Sequence, residues 1–103
     1  MKIVNPWNGA VVADVPADTA KTVAVKYAQA RAAQPRWAAL PVRKRLDAIV
    51  RFRAAIVARE DELARTLTQE VGKPIRQTRN ELKGVLGRID FFLAASGPTL
   101  RDE

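Results

Sequence analysis

The sequence predicts a mainly α-helical chain with a short N-terminal β-hairpin. Two β-branched runs separated by turn residues open the chain. Prolines, glycines and cap residues then divide the remainder into stretches whose apolar residues recur with helical spacing. We therefore expect the 103 residues to form a single unit, with the hairpin in residues 1–16 and a helical region in residues 17–97.

The hairpin is predicted from strand and turn signals at the N-terminus. Short β-branched runs at residues 2–4 and 10–15 flank two strong turn steps, Asn5-Pro6 and Asn8-Gly9. Pro16 cannot donate a backbone hydrogen bond to a neighbouring strand, so we expect the hairpin to end there.

A first helix is predicted from about Ala20 to Ala33. Asp18 and Thr19 precede it, and both residue types favour a helix N-cap. Pro35 has no backbone N–H and its ring clashes with the preceding turn, so we expect the helix to end before this proline.

A second helix is predicted after Leu40-Pro41, because proline suits the first turn of a helix. Whether this helix breaks near Arg59 is left open by the sequence. The apolar residues with helical spacing are Val42, Leu46, Ile49, Val50, Ile56 and Val57.

A third helical stretch begins with Glu60, Asp61 and Glu62, whose charges complement the positive end of a helix dipole. Adjacent helical residues point in different directions, so we interpret these acids as helix-start charges and not as a metal or acid–base cluster. Gly72 is predicted to cap the C-terminus of this helix, and Pro74 to prevent its continuation.

The last helix is predicted from about Ile75 to Ala95, with Gly97-Pro98 as its break. Gly84 and Gly87 each weaken a helix by about 1 kcal/mol relative to alanine, so we interpret them as positions of close packing. The apolar stripe of this helix consists of Leu82, Val85, Leu86, Ile89, Phe92 and Leu93.

The composition excludes several kinds of site. The 103 residues include no cysteine and no histidine, so they cannot supply a thiolate nucleophile, a disulfide or a Ser-His-Asp triad. Zinc sites built from cysteine or histidine are excluded for the same reason. Carboxylates, hydroxyls, lysines and Tyr27 are the remaining reactive groups.

The formal net charge of +7 favours polyanionic partners. The densest basic tract comprises Arg43, Lys44, Arg45, Arg51 and Arg53. Acids are interspersed, and neither a helix-turn-helix signal nor an aromatic stacking platform accompanies the tract, so no sequence-specific nucleic-acid binding is predicted. A free-standing basic helical protein that binds a partner, including nucleic acid, is an alternative that the sequence leaves open.

Membrane association is not predicted. No apolar run approaches the ~20 residues that span a bilayer, and residues 1–5 reach a turn too early for a signal peptide. We therefore expect a cytoplasmic chain.

Four segments in order resemble a known family over nearly the whole chain. They are the turn at residues 5–9, an Ala-rich helix pattern that ends near Trp37, the tract Leu40-Pro41-Val42-Arg43-Lys44-Arg45, and Gln69-Glu70-Val71-Gly72-Lys73-Pro74. Together they resemble the N-terminal region of the NAD(P)-dependent aldehyde dehydrogenases. The resemblance implies the N-terminal helical part of a Rossmann-like cofactor domain. The run from Glu70 to Leu93 looks closest to branches that handle semialdehydes and other small aldehydes.

The family's chemistry is the oxidation of an aldehyde to a carboxylic acid, or in some branches to a thioester, with hydride passing to NAD or NADP. In that family a cysteine thiolate attacks the aldehyde and a glutamate activates water. Those residues and the dinucleotide site lie beyond the segment that this chain matches. We therefore expect no catalytic and no cofactor-binding residues here, and no activity of the chain by itself.

The resemblance also implies two local features. Glu70 falls where the family often has an acidic residue that helps to hold a monovalent cation, together with main-chain oxygens near Ile3 and Val4; this gives Val4 and Glu70 as candidate metal ligands. Phe91-Phe92 matches an aromatic pair on a helix that can line the entrance to the aldehyde tunnel, although core packing explains at least one ring.

The final expectation concerns partners. In the resembled family these helices cover a sheet supplied by later sequence, so the stripe of the last helix would lack its usual partner here. We expect an exposed apolar patch, and either self-association or association with the rest of an aldehyde dehydrogenase chain.

Overall fold

A computed structural model describes residues 1–100, which form an antiparallel hairpin followed by four helices. The predicted class, mainly α with an N-terminal hairpin, is confirmed. The elements are β1 (Lys2–Val4), β2 (Val11–Asp14), α1 (Ala20–Ala38), α2 (Val42–Ala58), α3 (Glu60–Val71) and α4 (Ile75–Thr99).

The turn between β1 and β2 is closed by asparagine side chains, as the turn signals indicated. Asn5 Oδ1 accepts a hydrogen bond from the Trp7 backbone N–H at 2.9 Å, and Asn8 Oδ1 accepts one from Ala10 at 3.0 Å. Gly9 occupies the left-handed region with a φ of 72°. The short side chains and the glycine thus fold the loop back on itself.

The N-terminus of α1 is capped by Thr19, one of the two predicted caps. Thr19 Oγ1 accepts a hydrogen bond from the Thr22 N–H at 3.2 Å, and the Thr19 N–H donates to Thr22 Oγ1 at 2.8 Å. Two donors that a helix leaves without intrahelical partners are thereby satisfied.

The prediction that Pro35 ends α1 is wrong, because the helix continues to Ala38. A proline inside a helix frees the carbonyl four residues earlier, which belongs here to Arg31. Every residue of α1 is exposed, so water can accept that hydrogen bond. Hydration of the Arg31 carbonyl lowers the free-energy cost of placing Pro35 inside the helix, so the helix can continue past it.

α2 and α3 are separate helices, and the break lies at Arg59. This residue leaves helical geometry with a φ of −119° and a ψ of 19°, while its carbonyl accepts the first α3 hydrogen bond from Leu63 at 2.9 Å. The acids Glu60, Asp61 and Glu62 occupy the first turn of α3, as predicted.

Gly72 caps the C-terminus of α3, as predicted, in the left-handed region with a φ of 74°. A side chain there would also collide with the hairpin, since a Cβ would lie 2.7 Å from Pro6 Cγ. The glycine therefore permits both the helix stop and the close seating of the hairpin against this end of α3.

The prediction that Gly97-Pro98 breaks α4 is also wrong, because α4 runs to Thr99. The carbonyl that Pro98 frees belongs to Ala94, which is exposed to solvent. The Thr99 hydroxyl donates to the Ala95 carbonyl at 2.8 Å and so supports the last turn.

The best-buried contact lies between α3 and the start of α4. Ala64 of α3 and Thr78 of α4 are completely buried. The Thr68 and Thr78 hydroxyl oxygens lie 3.0 Å apart, and Thr78 Oγ1 also donates to the Ile75 carbonyl at 2.9 Å. A small side chain and a satisfied hydroxyl pair thus let the two helices approach closely.

The chain is extended for its length. Its principal extents are 52 × 38 × 19 Å, and its radius of gyration is 17.9 Å, against about 13 Å for a compact chain of this length. Its accessible surface is 8267 Å², whereas a compact chain of this mass exposes roughly 5,800 Å². Much apolar surface therefore has no partner within residues 1–100.

Candidate functional site: the groove between α2 and α4

An apolar groove with a volume of about 750 Å³ lies between α2 and α4. The two helices diverge enough to leave room for a small ligand or for the side chains of a partner. The groove is lined by Ile49 and Phe52 of α2 and by Glu81, Gly84, Val85, Arg88, Ile89 and Phe92 of α4.

A bidentate ion pair holds the two helices side by side. Arg53 Nε donates to Asp90 Oδ1 at 2.6 Å, and Arg53 Nη2 donates to Asp90 Oδ2 at 2.9 Å. The hydrogen bond from Arg53 lowers the pKa of Asp90 below its ordinary value of 3.8. Asp90 is therefore ionised at neutral pH and serves as an anchor for Arg53, not as a proton acceptor.

Two charged residues line the otherwise apolar groove, and their surroundings differ. Glu81 accepts a hydrogen bond from Lys73. Arg88 has no carboxylate within ion-pair distance among residues 1–100. The groove therefore presents one guanidinium that has no partner in the described chain, beside aromatic rings.

An adjoining cleft of about 470 Å³ shares Gly84, Arg88 and Phe92 with the groove and adds Phe91. The two phenylalanine rings meet edge to face, with centroids 5.3 Å apart. Both rings are more than half exposed. The expectation that one of them packs in a core is wrong for residues 1–100, because no element covers this side of α4.

The space beside Gly84 and Gly87 is likewise unoccupied by the described chain. A Cβ at either position would meet nothing within 4 Å, so the close packing expected there does not occur within this chain. The predicted α4 stripe is divided: Leu82, Leu86, Ile89 and Leu93 are half-buried, whereas Val85 and Phe92 are exposed.

The predicted cation ligands lie at neighbouring elements. β1, which contains Val4, packs against α3, whose last turn contains Glu70. The Glu70 side chain is exposed and makes no ion pair within residues 1–100. The assignment of Val4 and Glu70 to a monovalent cation stays a prediction.

Two of the three acids in the first α3 turn, Asp61 and Glu62, bind arginines. Hydrogen bonds from Arg79 and, to a smaller extent, Arg65 lower the pKa of Asp61. A hydrogen bond from Arg59 likewise lowers the pKa of Glu62. No three acidic residues of the described chain are grouped so that they could hold a metal ion.

The basic tract of α2 is divided in the structure. Arg53 is bound to Asp90, and Arg45 is half-buried with its Nε atom enclosed and unpartnered. Arg43, Lys44 and Arg51 remain exposed. That the tract binds no nucleic acid sequence-specifically stays a prediction.

No helix within residues 1–100 is long and apolar enough to cross a bilayer.

Comparison with known proteins identifies the family. The model of the aldehyde dehydrogenase family matches residues 1–102. The chain belongs to the aldehyde dehydrogenase family. The resemblance carried by the turn and helix-end motifs is thereby confirmed, and the alternative of a free-standing basic binding protein is not favoured.

Three relatives show how this aldehyde dehydrogenase segment compares with curated proteins. It is 35% identical over 94 residues to 3,6-anhydro-alpha-L-galactose dehydrogenase of Streptomyces coelicolor, covering 91% of this chain and 19% of that protein. It is 33% identical over 98 residues to malonate-semialdehyde dehydrogenase of Bacillus pumilus, covering 95% and 20%. It is 35% identical over 95 residues to N-succinylglutamate 5-semialdehyde dehydrogenase of Chromobacterium violaceum, covering 92% and 20%.

The aldehyde dehydrogenase segment thus spans about a fifth of the length of these curated relatives. No solved structure matches it.

Sequence reasoning missed Glu81 and Arg88 as residues of the groove. Charged residues on a helix are ordinarily assigned to its solvated face, and the predicted stripe contains apolar residues alone. The available signal was their spacing, since Glu81, Val85, Arg88 and Phe92 follow one another at intervals of four, three and four residues.

Proposed function

We propose that this segment belongs to an enzyme that oxidises a small aldehyde carrying a carboxylate to the corresponding dicarboxylic product, with NAD or NADP accepting the hydride. Several of the similar proteins are named for semialdehydes, including malonate semialdehyde and N-succinylglutamate 5-semialdehyde.

The observation that carries the proposal is the placement of Arg88. Its guanidinium borders an apolar groove lined by Phe52, Val85 and Phe92, and no carboxylate of residues 1–100 binds it. A guanidinium can bind a carboxylate through two parallel hydrogen bonds, and the apolar side chains beside Arg88 can contact the uncharged part of a substrate. A short substrate with an apolar body and a carboxylate matches that arrangement.

The segment itself is proposed to bind and orient, not to react. It contains no cysteine to attack an aldehyde. Its residues do not fit a dinucleotide either, because β2 leads into α1 through residues 15–19, which include no glycine to let a pyrophosphate approach the backbone. We expect the purified chain to reduce neither NAD nor NADP in the presence of an aldehyde.

Glu70 and the backbone of Val4 are also proposed as a monovalent cation site. The support is that β1 packs against α3. The proposal predicts that Glu70→Gln weakens any effect of sodium or potassium on thermal stability. Glu60→Gln, which changes a half-buried glutamate at the opposite end of α3, is the control.

The test of the main proposal is to extend the reading frame that encodes this segment and to assay the longer polypeptide. An in-frame segment with a catalytic cysteine is expected; a frame without one would defeat the proposal that the whole protein is an enzyme. The purified 103-residue chain is assayed in parallel and is expected to be inactive.

The substrate class is tested in that longer polypeptide with Arg88→Leu. Loss of the charge-assisted hydrogen bonds is expected to raise KM for a semialdehyde by about tenfold or more. The KM for a neutral aldehyde of similar length should change little, and Lys83→Leu serves as a control on the same helix. Equal effects on both aldehydes would contradict the role of Arg88.

A further inference from the structure

The tip of the hairpin joins an asparagine to a glycine in open surroundings. Asn8 and Gly9 are both exposed, and a Cβ built on Gly9 would meet nothing within 4 Å. Glycine leaves its own backbone nitrogen less crowded than any other residue does, because it has no side chain. Covalent geometry alone brings this nitrogen within reach of the side-chain amide carbon of Asn8, with which it can close a succinimide ring.

A backbone donor already lies on the side-chain carbonyl of Asn8. The Ala10 N–H donates to Asn8 Oδ1 at 3.0 Å. Attack on the side-chain carbon Cγ moves negative charge onto Oδ1, and a donor directed at that oxygen stabilises the charge as it develops. The hydrogen bond that closes the turn therefore also favours attack by the Gly9 nitrogen.

We propose that Asn8 is a site of spontaneous deamidation, in which the Gly9 nitrogen attacks Asn8 Cγ and water opens the resulting succinimide. The bond between the Gly9 nitrogen and Cγ forms while the bond between Cγ and Nδ2 breaks. Nδ2 leaves as ammonia with the proton that the Gly9 nitrogen loses. Water then adds to either carbonyl of the ring, which gives aspartate or isoaspartate. The reaction is a hydrolysis, so no oxidant or reductant takes part.

One hydrogen bond within the hairpin restrains the attacking nitrogen. The Gly9 N–H donates to the Asn5 carbonyl at 2.9 Å, and this bond must open before the nitrogen can lose its proton. The bond lies at an exposed loop tip, where local opening costs less free energy than unfolding of the whole chain. We therefore expect the reaction to proceed in the folded chain, but more slowly than in the unfolded chain.

The two other asparagines of the chain lack this combination of features. Asn5 precedes Pro6, whose nitrogen has no hydrogen to lose and cannot form a neutral succinimide. Asn80 lies within α4, where the N–H of Glu81 takes part in the helical hydrogen bonding. Both are controls within the same molecule. Asn5 is a close one, because its Oδ1 likewise accepts a backbone hydrogen bond, from Trp7 at 2.9 Å.

The isoaspartate product changes the backbone of the turn. Its main chain runs through the former side-chain carbon and is one atom longer, which alters both the acceptor for Ala10 and the spacing between Asn5 and Gly9. Pro6 of the same turn lies directly against Gly72, where a Cβ would approach Pro6 Cγ to 2.7 Å. We therefore expect isoaspartate formation to loosen the contact of the hairpin with the end of α3.

The aspartate product keeps the backbone of the turn. Its carboxylate can still accept the hydrogen bond from Ala10, and its negative charge lies at an exposed position. Asn8→Asp, freshly prepared, therefore separates the effect of the added charge from the effect of the longer backbone. The reaction involves the hairpin alone and does not depend on the proposed substrate.

The test is peptide mapping by mass spectrometry after the folded chain has been kept in mildly alkaline buffer at physiological temperature. A sample unfolded in urea is the positive control for these conditions. Deamidation of the folded chain is expected at Asn8 and not at Asn5 or Asn80, with isoaspartate among the products. Folded chains that keep Asn8 intact while the unfolded sample deamidates would overturn the proposal.

The role of the Gly9 nitrogen is tested separately. Gly9→Ala is expected to slow deamidation by about tenfold or more, because a Cβ crowds the nitrogen and disfavours the backbone conformation of the turn. Aspartate as the sole product would indicate direct attack of water on the Asn8 side chain, and would overturn the succinimide route. Deamidation of Gly9→Ala as fast as that of the wild type would also overturn it.

Amide hydrogen exchange measures the structural consequence. The Asn5 N–H donates to the Ala10 carbonyl at 2.8 Å, and the Val15 N–H donates to the Met1 carbonyl at 2.9 Å, so both amides report on the hairpin. Both should exchange faster in the purified isoaspartate form, whereas Asn8→Asp should exchange like the unmodified chain. Equal exchange in the isoaspartate form and the unmodified chain would overturn the predicted effect on the hairpin.

Discussion

The two halves of α4 have different surroundings, although both belong to one continuous helix. Its first turns pack against α3, where Ala64 and Thr78 are completely buried and a hydrogen bond joins the Thr68 and Thr78 hydroxyls. Its later turns face α2 across an open groove and expose Phe91 and Phe92. The α3–α4 contact is closely packed by small side chains, whereas the α2–α4 groove leaves the side chains of the later turns exposed.

This difference shows which part of an aldehyde dehydrogenase segment is self-sufficient. Close packing between α3 and α4 uses residues that are only 14 positions apart at its buried centre, Ala64 and Thr78. The groove side depends on a bidentate ion pair, between Arg53 and Asp90, whose partners are both partly exposed. We expect substitutions at the packed end to change folding stability, and substitutions at the open end to change association and ligand contacts.

The largest expected effect is at the junction of the packed end with the hairpin. Gly72→Ala places a side chain in the left-handed region and against Pro6, at a combined cost of about 2–4 kcal/mol in the free energy of unfolding. Gly9→Ala has nearly the same φ but meets nothing within 4 Å, so only the backbone cost of about 1–2 kcal/mol applies. Urea unfolding followed by circular dichroism measures both; equal losses would show that Pro6 yields without cost.

A smaller effect is expected from overpacking the contact between α3 and α4. Ala64→Leu adds three carbons where no space exists, and is expected to destabilise the chain by about 1–3 kcal/mol. Val85→Leu enlarges an exposed side chain at the open end by one carbon and should alter stability by no more than about 0.5 kcal/mol. Comparable losses in the two variants would mean that the groove side is packed in solution.

The smallest expected effect is the pH dependence that Asp61 and Asp90 share. Hydrogen bonds from Arg79 and from Arg53 lower the pKa values of Asp61 and Asp90 in the folded chain below the ordinary 3.8. A carboxyl whose pKa is lowered by folding stabilises the fold above its unfolded pKa, and the contribution is lost as pH falls through the folded pKa. Stability should therefore decline as the pH falls from about 4.

That pH dependence is checked by urea midpoints measured between pH 7 and pH 3. Asp61→Asn and Asp90→Asn should each make the acid decline shallower. Asp47→Asn is the control, since Asp47 makes no ion pair among residues 1–100. If the urea midpoints of all three variants fall equally with pH, the ion pairs of Asp61 and Asp90 do not contribute to the acid dependence of folding stability.

Sequence reasoning succeeded where the chemistry is local. The hairpin, the Thr19 cap, the acidic first turn of α3 and the Gly72 stop follow from hydrogen bonds or backbone sterics within a few residues. It failed at Pro35 and Pro98, because the cost of a helical proline depends on whether water can bind the freed carbonyl. That depends on exposure, which the neighbouring sequence does not reveal.

The sequence by itself therefore determined the order and most boundaries of the elements, the family, and the absence of a cysteine nucleophile in these residues. Only the tertiary structure decided which part of the α4 stripe is buried, and that Glu81 and Arg88 border an apolar groove. Helical periodicity assigns residues to faces, but the α2–α4 geometry decides which face is covered. That geometry arises from contacts between residues far apart in sequence, including Arg53 and Asp90, which no local pattern encodes.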